Sequence, residues 1–322
     1  MAIAPKQETA TKSVFIDGEA GTTGLEIRER LARVRGISFK SVAIKQRKDP
    51  AARKEIMASV DLVVLCLPDD AAVETVGLAD ELGDKAPRLI DASSAHRVAG
   101  GWVYGFPELE KGQAQAIADA KRVSNPGCYS TGAIALIRPL VEAGILSSDA
   151  PLTINAVSGY SGGGRAMIEA YVAKKASAFE LYGLGFEHKH LPEIMRYAKI
   201  DRRPIFVPSV GNFKQGMLVS IPLHLDALPG KPGAADIEAA LAKHFEGSTA
   251  VRVVPPAEIE QRNGRLDAEG LNGTDKMEIY VFAHGGHRQA AIVARLDNLG
   301  KGAAGAALEN VKLMLGLAGE GK

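Results

Sequence analysis

The stretch VFIDGEAGTTGLEI, residues 14–27, constrains this chain more than any other. An apolar, β-branched run ends at Gly18, glycine recurs at Gly21 and Gly24, and a helical pattern follows at once. Glycines spaced in this way let a backbone turn tightly and come close to a pyrophosphate, whose charge is held by free amides at the start of a helix. The spacing departs from the usual G-x-G-x-x-G, and a ligand-free turn between strand and helix could use the same residues. Its position as the first β–α unit favours dinucleotide binding, with Gly18, Gly21, Thr22, Thr23 and Gly24 as the expected cradle.

The segments that follow keep this rhythm. SFKSVAI, DLVVLCLP, RLIDAS and KRVSNP read as short strands separated by helical patterns, as in a parallel sheet covered by helices. In the first helix Ile27, Leu31 and Val34 share one face. DLVVLCLP is continuously apolar and stopped by Pro68, as expected of a strand buried on both sides, and Cys66 within it reads as a packed core thiol. The acid that selects NAD is expected about 20 residues beyond the glycine loop. This chain has IKQRKDP there, and Lys45, Arg47 and Lys48 would attract a 2′-phosphate, so NADP is expected over NAD.

Beyond residue 128 the pattern changes. STGAIALIRPLVEAG reads as a helix with Ile134, Ile137 and Val141 on one side and Gly144 at its end. LTINAVSG, MLVSIPLHL, TAVRVVP and MEIYVFAHGGHRQAAIVARLD then read as strands of an antiparallel or mixed sheet, with His284 and His287 in a hairpin. GAAGAALENVKLMLGL closes the chain as a helix carrying Leu308, Val311 and Leu315. With 322 residues the chain can hold two cores, and a net charge of +1 with interspersed signs leaves no basic stripe for nucleic acid. No apolar run approaches the roughly 20 residues needed to span a bilayer. MAIAPKQETATKS reads as a loose polar tail rather than a signal peptide, so a cytoplasmic protein is expected, and its two cysteines are read as unpaired.

Cys128 stands in SNPGCYSTG, where a Pro-Gly turn meets a helix start. Free amides and the helix dipole favour negative charge there, which suits a nucleophilic thiolate, and Ser130 and Thr131 are nearby donors. His188 and His190, in GFEHKHLPEI, supply a candidate acid or base, with Glu193 close enough to orient an imidazole. The same pair could lie on the surface; as metal ligands they lack a completing cluster, and no metal is expected. VSGYSGGGR is too rich in glycine and serine for a packed strand and ends in Arg165, while IDASSAHR carries Arg97 just past a strand end. Either arginine could pair with a carboxylate or phosphate, or remain a solvated loop charge.

GTTGLEI, LPDDAA, DASSAHR, YGFPEL, SNPGCYSTGAIALIRPL, SGYSGGGR, HKHLPEI and DNLGKGAAGAALENVKLMLGL occur in an order that resembles the N-acetyl-γ-glutamyl-phosphate reductase family, in its short form. The resemblance covers nearly the whole chain. It implies an α/β Rossmann-type nucleotide domain, residues 1–127 and 298–322, and an α+β catalytic domain with a mixed sheet, residues 128–297. The fold would be similar to glyceraldehyde-3-phosphate and aspartate-semialdehyde dehydrogenases, with the final helix packed back on the nucleotide domain.

The implied activity is NADPH-dependent reduction of an acyl phosphate to an aldehyde in arginine biosynthesis. By motif, Cys128 matches the nucleophile and His190 the acid/base and oxyanion group, with His188 beside it. Arg97, Asn125, Ser161, Arg165 and Glu193 are expected at the substrate. Pro68, Ser93, Arg47, Lys48, Asn298 and Lys301 are expected at the cofactor. A homotetramer or dimer built through the second sheet is also implied. The long form of the family has Asp-Phe-Arg where this chain has Ala95, His96 and Arg97. A reductase of aspartyl phosphate or of a carrier-bound aminoadipate, and a non-catalytic NADP sensor, are the competing readings.

Overall fold

The computed structural model describes residues 11–317; the first ten residues, which hold most of the expected tail, and residues 318–322 lie outside it. The first sheet contains β1 (Lys12–Asp17), β2 (Ile37–Lys40), β3 (Leu62–Leu65), β4 (Arg88–Asp91), β5 (Val103–Tyr104) and β6 (Arg122–Ser124). Their order is β2-β1-β3-β4-β6-β5, and every pairing is parallel. The chain leaves β1 toward β2 on one side and returns to β3 on the other. This reversal opens a crevice at the carboxyl ends of β1 and β3, where such sheets bind ligands. The short edge strand β5 was not legible as a strand.

Alternation along the strands builds two cores, because successive side chains point to opposite faces. Phe15, Val63 and Leu65 pack with Met57, Ala72 and Val76 from α2 (Pro50–Met57) and α3 (Asp69–Asp80), which follow α1 (Thr22–Leu31). Val14, Ile16, Leu62 and Val64 face the other way, against Ile27 and Leu31 of α1. The third face-mate expected for that helix, Val34, lies beyond its end but still packs on this core.

The second sheet contains β7 (Thr153–Gly159), β8 (Phe179–Leu181), β9 (Ile205–Gly211), β10 (Met217–His224), β11 (Val251–Val253), β12 (Met277–His284) and β13 (Gln289–Leu296). It is mixed, in the order β11-β12-β13-β10-β7-β9-β8. Two parallel pairs, β7 with β9 and β11 with β12, interrupt an otherwise antiparallel ladder. β7 runs through Val157, Ser158 and Gly159 as LTINAVSG was read, and the glycine-rich stretch leaves the strand at Tyr160.

Helices α4 (Gln113–Asp119), α5 (Cys128–Glu142), α6 (Gly164–Val172), α7 (Leu191–Ala198), α8 (Ala234–His244), α9 (Pro256–Glu260) and α10 (Gly305–Met314) complete the chain. The helix expected to bury one side, α5, is buried on all sides from Tyr129 to Leu140. It is sandwiched between the second sheet and α7. Gly132 permits that approach, since a Cβ there would come within 2.8 Å of Val219. The final helix α10 returns to the first sheet, where Ala307, Val311 and Met314 join the core under β1 and β3. Its Asn310 Nδ2 donates to the Gly105 carbonyl at 3.0 Å and to Asn125 Oδ1 at 3.1 Å, which ties the chain end to the loop before Cys128.

Candidate active site

The glycine loop is shaped by contacts that only glycine allows. Gly18 has φ +89°, and a Cβ there would lie 2.3 Å from the carbonyl oxygen of Cys66, the residue just past β3. A Cβ on Gly24 would lie 2.4 Å from the Gly18 carbonyl oxygen. The loop is thereby folded onto the start of α1, which has no side-chain cap and no acidic residue in its first turn. Its leading amides are open to an anion, so a dinucleotide pyrophosphate fits here.

Beside this loop begins a cavity of about 340 Å³ that joins the two domains. Thr22 and Thr23 line one end; Cys128, His188 and His190 line it together with Arg97, Asn125, Ser161 and Asn298. Cys128 is the first residue of α5, with Gly127 as its N-cap. A Cβ at Gly127 would sit 2.5 Å from both Arg97 Nη1 and His190 Nε2 and 2.7 Å from Glu193 Oε1. The bare backbone at Gly127 thus lets the arginine, the imidazole and the carboxylate converge on the helix start. Gly302 closes the other side of the sulfur-bearing residue: a Cβ there would be 2.9 Å from Cys128 Cβ. Gly302 lies in a π-helical turn, Gly300–Ala304.

Glu193 does not face the substrate space as expected. It is 1 % exposed and accepts from Arg97 Nη1 at 2.7 Å, Tyr104 Oη at 2.7 Å and the Gly127 amide at 3.2 Å. It is a positioning residue that locks Arg97 and the Cys128 helix cap together. Arg97 is delivered by a loop that Asp91 organises. Asp91 accepts from the Ser93 amide and hydroxyl at 2.8 and 2.7 Å and pairs with His96 Nδ1 at 2.6 Å. Ser93 is thereby held to Asp91, its hydroxyl proton directed at the carboxylate.

Ser161 and Asn298 are bonded to each other, Nδ2 to Oγ at 2.9 Å, and Asn298 Oδ1 accepts from the Gly216 amide at 2.8 Å. Asn125 reaches the Ala303 carbonyl through Nδ2 at 3.0 Å, and its own carbonyl accepts from Arg97 Nε at 3.1 Å. These three residues line the cavity and also brace it.

Two further expectations are corrected by the structure. Arg165 sits on α6 with its side chain turned to solvent, bonded to Glu169 one turn on at 2.8 Å, and it does not line the cavity. Lys301 is buried, its ammonium held by Glu108 at 2.8 and 2.9 Å and by Glu309 at 2.7 Å, so it braces the chain end rather than touching a nucleotide. Pro68 is the N-cap of α3, three residues past β3, and does not line either hollow at the glycine loop. Arg47 lines a small hollow at that loop, while Lys48 is exposed outside it.

The electrostatics reverse one expectation. Burial pushes the Cys128 thiol up to about 11, which outweighs the opposing pull of the Arg97 charge and of the Tyr129 amide. The start of the helix does not hold a thiolate in the resting cleft. Burial, reinforced by the charges of Lys189 and Arg97, draws His188 down to about 4. His190 lies well below its usual range for the same reasons, burial first and Arg97 next. Both imidazoles are therefore neutral near pH 7, and His190 Nδ1 is buried with no hydrogen-bond partner among the described residues. A neutral thiol near a neutral imidazole would need a base at the moment of attack to act as a nucleophile.

A thiol with a pKa of about 11 is only about one part in ten thousand ionised at pH 7. Alkylation of Cys128 by iodoacetamide in the ligand-free protein is expected to be slow at pH 7 and to climb about tenfold per pH unit toward pH 10. Peptide mapping separates it from Cys66, which burial pushes up to about 12. A rate that levels off near pH 7 would contradict this account of the thiol.

Lys189 was not singled out by sequence. It is exposed, lines the cavity, and forms no ion pair among the described residues. Its only signal was its place between the two histidines.

Comparison with known proteins agrees with this geometry. Residues 33–118 match the semialdehyde dehydrogenase NAD binding domain, and residues 128–298 the semialdehyde dehydrogenase dimerisation domain. N-acetyl-gamma-glutamyl-phosphate reductase of Chelativorans sp. (strain BNC1) is 52 % identical over 95 % of this chain and 98 % of its own. That of Mesorhizobium japonicum is 52 % identical over 94 % and 99 %, and that of Brucella ovis 49 % over 94 % and 98 %.

Among solved structures, aspartate semialdehyde dehydrogenase II from Vibrio cholerae has a TM-score of 0.70 at 14 % identity, covering 95 % of this chain and 98 % of that one. The aspartate semialdehyde dehydrogenase from Francisella tularensis has a TM-score of 0.67 at 15 % identity, covering 94 % and 98 %. The structures share the fold, and the sequences set the family: the chain belongs to the N-acetyl-gamma-glutamyl-phosphate reductases, a family of oxidoreductase enzymes.

Proposed function

We propose that this chain reduces N-acetyl-γ-glutamyl phosphate to N-acetylglutamate 5-semialdehyde with NADPH, releasing phosphate, through a thioester on Cys128. The observation that carries the reading is the single cavity that brings Thr22 and Thr23 of the glycine loop to Cys128 and His190. In the first step Cys128 Sγ bonds to the acyl carbon, its proton passes to neutral His190, and the bond to phosphate breaks. The departing phosphate takes up a proton from solvent.

NADPH, when bound along the glycine loop, supplies the hydride that brings the acyl group to the aldehyde level. His190 then returns its proton to the thiohemiacetal oxygen, a role worth about 10²- to 10⁴-fold. Collapse of that adduct releases the aldehyde and restores the thiol. His188 holds the segment in place by accepting the His190 amide at 3.1 Å through Nδ1.

The substrate carries a carboxylate and a phosphoryl group, and the cavity has two permanent cations to meet them. Arg97 is already neutralised by Glu193 at 2.7 Å, whereas Lys189 is free of such a partner among the described residues. We assign Lys189 to the phosphoryl group. The test is run in reverse, following reduction of NADP by N-acetylglutamate semialdehyde and orthophosphate at the nicotinamide absorbance band. Phosphate-dependent turnover is expected. Lys189→Met should raise the KM for phosphate about tenfold, equivalent to roughly 1.4 kcal/mol, with little change for NADP. No turnover with this aldehyde, alongside turnover with aspartate semialdehyde, would overturn the substrate assignment.

The nucleotide domain in this reading comprises residues 1–127 and 298–322, and the catalytic domain residues 128–297. Self-association as a dimer or tetramer is proposed through the uncovered face of the second sheet, where Val157, Leu218, Phe282 and Val293 line an open apolar hollow of about 690 Å³. No helix among the described residues is long and apolar enough to cross a membrane, and a cytoplasmic location is part of the proposal.

A further inference from the structure

At the carboxyl end of β2, one carboxylate gathers three donors. Glu19, the second residue of the glycine loop, accepts from Arg28 Nη1 at 2.5 Å and Ser41 Oγ at 3.0 Å on one oxygen, and from Arg47 Nη2 at 3.1 Å on the other. Arg28 Nη1 also donates to Ser41 Oγ at 3.2 Å, so the donors form one connected array. Glu19 lines the small hollow at the loop together with Gly18, Gly21, Val42 and Arg47. Glu19 is mostly buried, whereas both arginines remain substantially exposed.

Position and chemistry point the same way. The end of the second strand, beside the glycine loop, is where a dinucleotide places its adenosine ribose. An acid there that selects NAD must offer free oxygens to the ribose hydroxyls. Both oxygens of Glu19 are already engaged, by two guanidinium groups and a hydroxyl, so neither is free to take the pair of ribose hydroxyls as a bidentate acceptor. Two arginines and a serine around one centre are the donor set that a phosphate monoester takes. A 2′-phosphate arriving at those donors meets the Glu19 charge, and the two anions cannot share them without repulsion.

We propose that Glu19 is an internal stand-in for the 2′-phosphate of NADPH: its carboxylate keeps Arg28, Arg47 and Ser41 assembled in the empty protein and leaves them when the nucleotide binds. The cofactor phosphate thus competes with a residue of the same chain, and Glu19 sets the margin by which NADPH is preferred. This rests on the NADPH reading given above. It also replaces the expectation that Lys45 and Lys48 hold the phosphate, since both are exposed outside the array.

Direct titration of the purified full-length protein by nucleotide fluorescence, with calorimetry for 2′,5′-ADP and 5′-AMP, tests it without reference to turnover. Glu19→Gln keeps the shape and removes the competing charge. It should tighten NADPH and 2′,5′-ADP about tenfold while leaving NADH and 5′-AMP within twofold. Arg47→Met and Arg28→Met should each weaken NADPH and 2′,5′-ADP without a matching loss for NADH, which keeps the idea testable should Glu19→Gln fold poorly. Unchanged or weaker NADPH binding by Glu19→Gln, or arginine variants that weaken both nucleotides equally, would overturn the proposal. If the unmodified protein binds NADH more tightly than NADPH, the cofactor reading fails as well. If it prefers NADPH and Glu19→Gln leaves the preference unaltered, only the role of Glu19 fails.

Discussion

Cys128→Ser is expected to lower phosphate-dependent NADP reduction on the order of a thousandfold or more, with unfolding temperature and NADPH binding close to those of the parent protein. A hydroxyl in place of the thiol keeps the volume against Gly302 but loses the intrinsic nucleophilicity on which thioester formation depends. A thousandfold corresponds to about 4 kcal/mol of transition-state stabilisation. In the proposed reaction a neutral His190 able to take the proton of a thiol of pKa about 11 could not deprotonate a serine of far higher pKa equally well. A serine variant that retained a tenth of the parent rate would end the assignment of Cys128 as nucleophile. The matched unfolding temperature separates lost chemistry from lost structure.

The second large effect is on stability. Glu193 and Arg97 are both nearly fully buried, and Glu193 also satisfies the Tyr104 hydroxyl and the Gly127 amide. Glu193→Ala leaves the guanidinium without its counter-charge and two donors without an acceptor. Breaking a buried pair on one side costs about 3–5 kcal/mol. In a chain of this size that lowers the unfolding temperature by on the order of 5 °C. The double variant Arg97→Met with Glu193→Gln removes both charges and keeps an acceptor for Tyr104 and Gly127. It should regain most of the lost stability, measured by calorimetry, yet stay far below the parent in turnover, because Arg97 also lines the cavity that holds Cys128. Recovery of turnover together with stability would mean that Arg97 and Glu193 act only as a structural brace.

The contrast between Ser161 and Arg165 shows how far local reading reaches. Both fall in one glycine-rich stretch, four positions apart, and the local sequence gives no reason to separate them. Ser161 is drawn into the cavity by Asn298, 137 positions away, whereas the start of α6 at Gly164 turns Arg165 outward toward Glu169. Lys301 is similar. Its position in the returning segment matched the cofactor side, but Glu108 and Glu309 claim its ammonium. A cation in a motif is visible from sequence; whether a carboxylate from another segment has already neutralised it is not.

The same limit explains the thiol. A helix start is a local feature, and GCYSTG was enough to place Cys128 there. The desolvation that raises the thiol comes from long-range packing, through Gly302, α7 and the second sheet. Glu19 drew no reading from the sequence, because its partners lie 9, 22 and 28 residues further along.

The sequence by itself determined the glycine loop, the parallel first sheet and the helix that begins at Cys128, because periodicity, capping and turn chemistry act within a few residues; the return of the last helix was implied only by the family resemblance. Tertiary structure alone decided which charges remain free, which are spent on bracing, and the ionisation state of the sulfur and the imidazoles. Those depend on burial and on partners distant in sequence, and in a low-dielectric cleft an ångström of separation between charges outweighs any local preference.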